Sequence, residues 1–261
     1  MSVLFHCNKK KIQLKEGDSF HSKTEKVYRE ASARFINTLV EEVKLGKPWR
    51  SVIKEKVEPK NPWLAKIILS GERNKFLELI PEFSKNSLAL DIGAGWGQHT
   101  VNMAKKGKVC CIEPSPERFE FIKQITQQEK CSSSCYYINA QLGNLELERM
   151  FDFAVCIGVL EWVGRFEDGD KPEDIQLSFL KKIKRSLKIN SPLIVGIENR
   201  IGLKYLLGSN DDHIGAPYVS CCEYDDANKI WAERGEGNLK VATYDIEQYK
   251  DLFKNAGFEA I

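Results

Sequence analysis

Three glycines alternate with other residues in the stretch LALDIGAGWGQHT, residues 88–100, directly after a short apolar segment. An apolar strand followed by a glycine-rich turn and a helix is typical of α/β folds that bind a ligand where a strand ends. The spacing restricts the ligand. A dinucleotide site requires G-x-G-x-x-G, with Gln98 at the third glycine position here, and a P-loop requires a lysine that this turn lacks. The turn therefore fits neither of these phosphate-binding motifs.

Two carboxylates indicate a ligand with a positive charge and a ribose. Asp91 lies at the start of the turn, where a negative charge suits a cationic group better than a pyrophosphate. Glu113 ends the next apolar segment, KVCCIEP, 22 residues after Asp91. A carboxylate at that position can accept hydrogen bonds from ribose hydroxyls, as in dinucleotide-binding folds.

Short apolar segments alternate with amphipathic ones from residue 86 onward. Strands are predicted in LALDI, KVCCIEP, CYYINA, FDFAVCIGVL and PLIVGIEN, and helices in SPERFEFIKQITQQE and IQLSFLKKIKRSLK. The first of these helices has Ser115 as its N-cap and Pro116 at its first position. The predicted fold is α/β, with a doubly wound, mostly parallel, Rossmann-like sheet.

Residues 1–85 are predicted to form a helical N-terminal extension that caps the domain of residues 86–261. Amphipathic helices are expected over residues 24–45 and 62–79, with a charged connector over 47–61. The chain stops where another strand should begin, after the predicted helix in DIEQYKDLFKNAGF. We therefore expect the domain to be incomplete at its C-terminal end and to belong to a longer protein.

The stretch LALDIGAGWG, in the form hydrophobic-D-x-G-x-G-x-G, resembles motif I of class I S-adenosylmethionine (SAM)-dependent methyltransferases. The resemblance implies SAM as the cofactor and S-adenosylhomocysteine as its product. It implies that the glycine backbone approaches the methionine part of SAM and that Asp91 interacts with that part, directly or through water. Glu113 would then hold the ribose.

The same resemblance assigns the remaining donor contacts to the ends of the third and fourth strands. The family often has an acid on the adenine amino group where this chain has Asn139, which can accept through its amide carbonyl. The implied donor-binding residues are Asp91, Gly93, Ala94, Gly95, Gly97, Glu113, Pro114, Asn139, Ala140, Ile157 and Gly158.

The acceptor is expected to be a hydroxyl. Methylation of base amino groups typically uses [DNS]-P-P-[YFW] after the fourth strand, where this chain has IGVLEWVGRF. The segments VLEWVGRF, IENRIGLKYLLGSNDDHIG and TYDIEQYKDLFKNAGF look like methyltransferase domains of bacterial lipopolysaccharide and cell-surface glycan biosynthesis proteins. This resemblance covers residues 86–261 and implies O-methylation of a small molecule or glycan, plausibly a sugar.

His213 and Glu161 are the candidate catalytic residues. A hydroxyl is a poor nucleophile and gains from a base, and an imidazole oriented by Asp211 or Asp212 could supply one. Glu161 could instead be the base or hold a substrate hydroxyl. The alternatives are a loop histidine that caps a turn and a carboxylate at a helix start. Arg200 is a candidate for binding an acidic group on the substrate.

Composition leaves two other functions open. Residues 1–85 carry 18 Lys and Arg against 11 Asp and Glu, a formal charge of +7 in a chain of +2, which could meet nucleic acid or simply form solvated helix faces. The alternatives are thus an RNA methyltransferase and a SAM-binding scaffold without catalysis.

Cysteine usage and hydropathy predict a cytoplasmic protein. The eight cysteines do not form a disulfide-like framework, and CSSSC lacks a second ligand pair, so reduced thiols and no metal are expected. No apolar run approaches the roughly 20 residues that span a bilayer.

Overall fold

The computed structural model describes residues 2–22, 27–165, 171–235 and 237–259. The chain divides into two compact units. The first consists of Met1–Val155 and Ser186–Ile194, and the second of Cys156–Arg185 and Val195–Ile261. Among the described residues, no helix has the length and apolar composition that crossing a membrane requires.

The strands form two sheets. They are β1 (Val3–Cys7), β2 (Lys10–Leu14), β3 (Ser19–His21), β4 (Leu88–Ile92), β5 (Lys108–Ile112), β6 (Cys135–Asn139), β7 (Leu145–Leu147), β8 (Phe153–Ile157) and β9 (Leu193–Gly196). The smaller sheet has the order β2-β1-β7, and the larger, mostly parallel sheet has the order β3-β6-β5-β4-β8-β9. Numbered from β4, the last five strands of the larger sheet run 3-2-1-4-5, the doubly wound order. The predicted fold class is confirmed.

Helices lie between most of the strands. They are α1 (Ala33–Lys44), α2 (Trp49–Val52), α3 (Pro62–Leu69), α4 (Gln98–Ala104), α5 (Pro116–Gln128), α6 (Pro172–Ser186), α7 (Leu203–Leu206), α8 (Tyr224–Ala232) and α9 (Ile246–Asn255). The Ser115 hydroxyl caps α5 as predicted, because it accepts from the backbone of Arg118, and Pro116 opens the helix.

The register of the central strands brings their carboxyl ends to one level. β4 pairs in parallel with β5 so that Ile92 lies opposite Ile112, and β5 pairs in parallel with β6 so that Ile112 lies opposite Ile138. The glycine turn, Glu113 and Asn139 follow directly on these residues. They therefore meet at the end of the sheet where the strand order reverses, which is where such sheets bind ligands.

The prediction of a helical N-terminal extension is wrong for residues 3–21, which form strands. β1 buries every second side chain from Val3 to Cys7 and pairs antiparallel with β2. Asn8 and Lys9 turn the chain between them with φ of 51° and 64°, as two-residue hairpins require. The alternation with a period of two was the strand signal in this segment. β3 pairs in parallel with β6 and adds a strand to the larger sheet.

The predicted N-terminal helices also have different bounds. α1 begins only at Ala33, because the Ser32 hydroxyl accepts from the Phe35 backbone and caps it; residues 24–26 of the predicted helix lie outside the described residues. The predicted connector over 47–61 contains α2 and a π-helical turn, Ile53–Val57, whose apolar side chains are buried. The helix predicted over 62–79 breaks after Leu69 and continues as a 3₁₀ helix, Glu72–Leu79.

In the second unit, α9 confirms the helix predicted near the end of the chain. The Asp245 carboxylate accepts from the backbone of Glu247 and Gln248, while Gln248 bonds back to the Asp245 backbone, which makes a capping box. Gly257 follows the helix with φ of 87°. A parallel bridge between Asn199 and Tyr244 joins the segment before α9 to the end of β9.

Gly97 fixes the packing of α4 on α5. It is the N-cap of α4 with φ of 80°, in the left-handed region. A Cβ at this position would lie 2.9 Å from Ile122 Cγ1 and from Ile125 Cδ1 on α5. These separations are shorter than van der Waals contact, so glycine is required here for close approach as well as for backbone conformation.

We predict that Gly97→Ala lowers the free energy of unfolding by about 2–5 kcal/mol, the sum of left-handed strain and overpacking. Gly46→Ala is the matched control, because Gly46 has φ of 93° and a Cβ there would meet nothing within 4 Å. It should cost only the backbone strain, about 1–2 kcal/mol. Denaturant unfolding measures both. Equal losses in the two variants would contradict the packing role of Gly97.

Candidate active site

The glycine turn of the first unit is built on left-handed backbone. Gly93, Gly95 and Gly97 have φ of 66°, 60° and 80°. The Ala94 N–H donates to the Ile112 carbonyl at 3.0 Å, which ties the turn to the end of β5. The alternation of glycines in the sequence therefore corresponds to three positions that other residues adopt only at a cost.

Glu113 is the most fully bonded carboxylate near the turn, with 1% of its surface exposed. Oε2 accepts from the Gly95 N–H at 2.8 Å, and Oε1 accepts from the Ser115 N–H at 2.8 Å and from the Arg118 guanidinium at 2.9 Å. Burial raises the pKa of Glu113, while Arg118 and the two N–H groups act against the rise. A carboxylate oxygen has two lone pairs, so Oε2 retains one for a ribose hydroxyl.

Arg118 is a buried residue of this region that sequence reasoning missed. Besides Glu113, its guanidinium bonds both oxygens of Glu30, at 2.9 and 3.1 Å, and the Tyr28 carbonyl at 2.9 Å. Arg29 pairs with Glu117 at 3.0 Å in the same segment. Residues 28–30 are thereby held against the start of α5.

Asp91 is buried beneath the turn, and its Oδ2 accepts from the Thr100 hydroxyl at 2.6 Å. Burial raises the pKa of Asp91 to about 7, with Glu113 adding to the rise and Thr100 opposing it. A cationic ligand group beside this carboxylate would favour its charged form. The predicted contact of Asp91 with the amino end of a ligand stays a prediction.

The amino half of the Asn139 amide is held by two backbone carbonyls. Nδ2 donates to the Glu113 carbonyl at 2.8 Å and to the Pro114 carbonyl at 3.1 Å. Oδ1 is the acceptor atom of this amide, and its predicted contact with an adenine amino group stays a prediction. Ala140 follows directly and is buried.

Trp96 is buried and packs inside the first unit. Its ring meets Phe121 edge-on at 5.4 Å. Gly95, in contrast, would place a Cβ no closer than 3.8 Å to another atom, so the turn is open at that position.

The second unit contains the predicted catalytic residues. Ile157 ends β8 and Gly158 follows it with φ of 67°. The Gly158 N–H donates to the Gly196 carbonyl at 2.8 Å. Glu161 follows in a 3₁₀ turn, Leu160–Trp162, and is 2% exposed. The predicted role of Ile157 and Gly158 in lining the donor stays a prediction.

His213 lies among three carboxylates, and 3% of its side chain is exposed. Nε2 is 3.8 Å from Glu161 Oε1 and 3.6 Å from Glu198 Oε2, and Nδ1 is 3.4 Å from Asp211 Oδ1. Its ring lies edge-on to Trp162 with centroids 5.1 Å apart. The structure thus brings together the two predicted catalytic residues and adds Glu198, which the sequence placed only at a strand end.

Asp211, not Asp212, lies beside the histidine ring. Asp211 Oδ1 accepts from the backbone of His213 at 2.8 Å and of Ile214 at 2.9 Å, and Oδ2 accepts from the Ser220 hydroxyl. The Asp212 carboxylate instead pairs with Lys204 and accepts from the Tyr205 hydroxyl. The choice that the sequence left open is therefore settled by the conformation of the loop.

The carboxylates and the imidazole of this cluster shift one another's pKa toward their charged forms. Burial alone would lower the pKa of His213, but Asp211, Glu161 and Glu198 outweigh it and raise the pKa to about 11. Burial also opposes ionisation of Asp211, yet bonds from His213 and Ser220 lower its pKa to about 2. Burial raises the pKa of Glu161, and His213 lowers that of Glu198. When no other cation is bound beside it, the His213 imidazole therefore carries its proton at neutral pH.

Arg200 is occupied by internal partners. Its guanidinium bonds Gln248 Oε1 at 3.0 Å, Asp245 Oδ2 at 3.2 Å and the carboxylate of Glu223. These contacts hold the segment after β9 on the start of α9. Because its guanidinium already bonds carboxylates of its own chain, Arg200 is a poor candidate for the predicted contact with an acidic group on the substrate.

Comparison with known proteins relates one segment of the chain to a known family. A family described as a methyltransferase domain matches residues 90–193, from within β4 to the start of β9. These residues, less than half of the chain, are similar to methyltransferase domains. The match agrees with the predicted enzyme class and with SAM as the predicted methyl donor.

The similar proteins are distant. The ubiquinone biosynthesis O-methyltransferase of Rickettsia akari is 24% identical over 120 residues, which are 46% of this chain and 43% of that protein. A structure from Nostoc punctiforme, named as a candidate O-methyltransferase, has a TM-score of 0.51 at 16% identity and covers 87% of this chain and 64% of that one. Phosphoethanolamine N-methyltransferase 2 of Haemonchus contortus, crystallised with SAM, has a TM-score of 0.48 at 14% identity over 84% of this chain and 44% of that one.

This chain spans less than two thirds of the length of each of these three proteins. The likeness to the Nostoc structure shows the fold alone, and that to the Haemonchus structure is too low to argue from.

We predict that Glu113→Gln weakens binding of S-adenosylhomocysteine about tenfold or more, because a charge-assisted hydrogen bond contributes about 1.5–3 kcal/mol. Glu117→Gln is the control, since Glu117 lies close by on the first turn of α5 but pairs with Arg29. Calorimetric titration of wild type and both variants with S-adenosylhomocysteine and with NAD measures these affinities. Equal affinity in wild type and Glu113→Gln, or binding of NAD alone, would contradict the assignment.

Proposed function

We propose that the protein transfers the methyl group of SAM to a hydroxyl oxygen of its acceptor. The observation that carries the proposal is the buried cluster of Glu161, Glu198 and His213, which offers carboxylate oxygens and an imidazole to a polar group. The similarity to a protein named as an O-methyltransferase supports the same reaction.

The chemistry explains why such a cluster is useful. Methyl transfer from a sulfonium is an in-line displacement, in which the enzyme mainly positions donor and acceptor. A hydroxyl attacks well only as it loses its proton, so it needs acceptor atoms close by. We assign to His213 and Glu161 the binding of the acceptor hydroxyl. The protonated imidazole stabilises the hydroxyl oxygen as its proton leaves, Glu161 is the carboxylate that can accept this proton, and Asp211 lies beside the imidazole.

We propose the donor contacts that the sequence predicted. The glycine backbone would approach the methionine part, Glu113 the ribose and Asn139 the adenine. Asp91 would meet the amino end of SAM. The other members of the set are Gly93, Ala94, Gly95, Gly97, Pro114, Ala140, Ile157 and Gly158.

A sugar or glycan intermediate is the acceptor that we propose, within a multidomain protein of the cytoplasm. The segments around Glu161, Glu198 and His213 are those that resemble methyltransferases of glycan biosynthesis. Reduced thiols, which we expect for the eight cysteines, suit a reducing compartment. The Sγ atoms of Cys131 and Cys135 lie within hydrogen-bond reach of backbone carbonyls.

The basic residues of the N-terminal region give the RNA alternative little support. Lys47 pairs with both Glu42 and Glu55, and Lys56 pairs with Glu42. Arg50 pairs with Glu129. These intramolecular pairs reduce the positive charge that is available to a phosphate backbone.

We predict that His213→Ala and Glu161→Gln each lower the rate of methyl transfer at least about 100-fold, in line with the contribution of acid–base catalysis. Wild type should label oxygen in a panel of monosaccharides, sugar nucleotides and phenols when methyl-labelled SAM is supplied. Affinity for S-adenosylhomocysteine should stay unchanged in both variants.

Asp212→Asn is the control for this prediction, because the Asp212 side chain bonds Lys204 and Tyr205. It should retain the wild-type rate. Undiminished transfer in both His213→Ala and Glu161→Gln, or label on nitrogen rather than oxygen, would refute the proposal. Binding to RNA that weakens steeply with salt would favour the nucleic-acid alternative.

A further inference from the structure

Three side chains of the second unit converge from separate segments. Glu161 comes from the turn after β8, Glu198 from the segment after β9, and His213 from the loop after α7. One oxygen or nitrogen from each lies within 4.8 Å of the other two. Donor atoms around one metal ion at about 2.0–2.3 Å are separated by no more than about 4.5 Å. The separations of 3.8 and 3.6 Å between His213 Nε2 and the two carboxylates fall within that limit.

The atoms of the cluster do not satisfy one another. The distances of 3.6 and 3.8 Å from His213 Nε2 to the two carboxylates are too long for hydrogen bonds. Glu161 Oε2 and Glu198 Oε2 are buried atoms without a hydrogen-bond partner among the residues that the structure describes. Unpaired buried carboxylate oxygens are costly, and Glu161 itself is almost fully enclosed. A cation between them would supply the partner that each oxygen lacks.

The surroundings of the histidine match those of a metal ligand. Metal-bound histidines usually direct their second ring nitrogen to a carboxylate, which fixes the ring. Asp211 Oδ1 lies 3.4 Å from His213 Nδ1, and two backbone N–H groups and a serine hydroxyl hold this carboxylate in place. Trp162 restricts the ring from its edge. The Tyr249 hydroxyl bonds the Glu198 carbonyl at 3.1 Å and anchors the third ligand.

We propose that Glu161, Glu198 and His213 bind one divalent first-row metal ion, with Asp211 as the positioning residue for the histidine. Two carboxylates and one imidazole form a mixed oxygen and nitrogen set that suits Mn²⁺ or Zn²⁺. The sequence alone predicted no metal, because the three ligands lie in separate segments without ligand spacing.

The role of the ion rests on the function proposed above, whereas its binding does not. Three protein ligands leave positions open for an oxygen of the acceptor, and an ion lowers the pKa of a bound hydroxyl. The hydroxyl then loses its proton to solvent and attacks the methyl carbon of SAM. An O–C bond forms, the C–S bond breaks with its electron pair going to sulfur, and S-adenosylhomocysteine leaves.

Binding is tested on the intact chain after treatment with a chelator, without SAM or acceptor. Mn²⁺ titration followed by electron paramagnetic resonance should show one ion bound per chain, and Zn²⁺ should compete for it. We expect at least a tenfold loss of Mn²⁺ affinity in Glu198→Gln and in His213→Ala. Asp211→Asn should lose about 10- to 100-fold, as positioning residues of metal sites do.

Asp212→Asn should bind Mn²⁺ like wild type, because its carboxylate is engaged by Lys204 and Tyr205. Circular dichroism checks that each variant folds, and Glu161→Gln, which preserves side-chain volume, provides an independent ligand variant. Neither ion binding at one per chain, or equal Mn²⁺ affinity in wild type, Glu198→Gln and Glu161→Gln, would overturn the metal site.

Activity with a chelator separates the two proposals. O-methylation that persists in excess chelator but falls in His213→Ala would sustain the function and reject the metal. One bound Mn²⁺ without O-methylation of any hydroxyl acceptor would sustain the metal site and reject the function. Activity that chelator abolishes and Mn²⁺ restores would support both.

Discussion

The buried carboxylate of Glu113 holds together the end of the first unit that we propose to bind the methyl donor. It accepts from the Gly95 N–H, the Ser115 N–H and the Arg118 guanidinium, so that one negative charge links the glycine turn to the start of α5. Arg118 extends the link to Glu30. A buried charge is tolerated only when it is paired and hydrogen-bonded, and each of these partners meets that condition for the others. The position of the turn thus depends on an arginine five residues beyond the acid.

The donor-binding end could be predicted from the sequence because its elements are local. Glu113 and Asn139 each end an apolar strand, and parallel strands bring their carboxyl ends together whatever the helices between them do. Arg118 could not be predicted in the same way, because its partner Glu30 lies 88 residues away. The N-terminal strands were missed since three consecutive lysines at the hairpin obscured the alternation of β1.

The cluster around His213 shows where sequence reasoning reaches its limit. His213 and Glu161 were identified from residue type and from their positions after strands. Glu198 could not be joined to them, because loop conformations decide which side chains meet. Adjacent acids likewise diverge: Asp211 contacts His213, whereas Asp212 contacts Lys204. Only the backbone conformation of the loop decides which of two neighbouring aspartates contacts the histidine.

The short strand β3 has a consequence that is independent of methyl transfer. It lies at one margin of the larger sheet, where it pairs with Tyr137–Asn139 of β6. An uncovered edge strand presents free N–H and C=O groups to any extended chain in solution. Long apolar edge strands therefore promote aggregation. β6 is entirely buried and apolar over most of its length, whereas β3 has only three residues, Ser19–His21. By pairing with β6, β3 therefore protects the buried, mostly apolar strand β6 from pairing with the strands of other molecules.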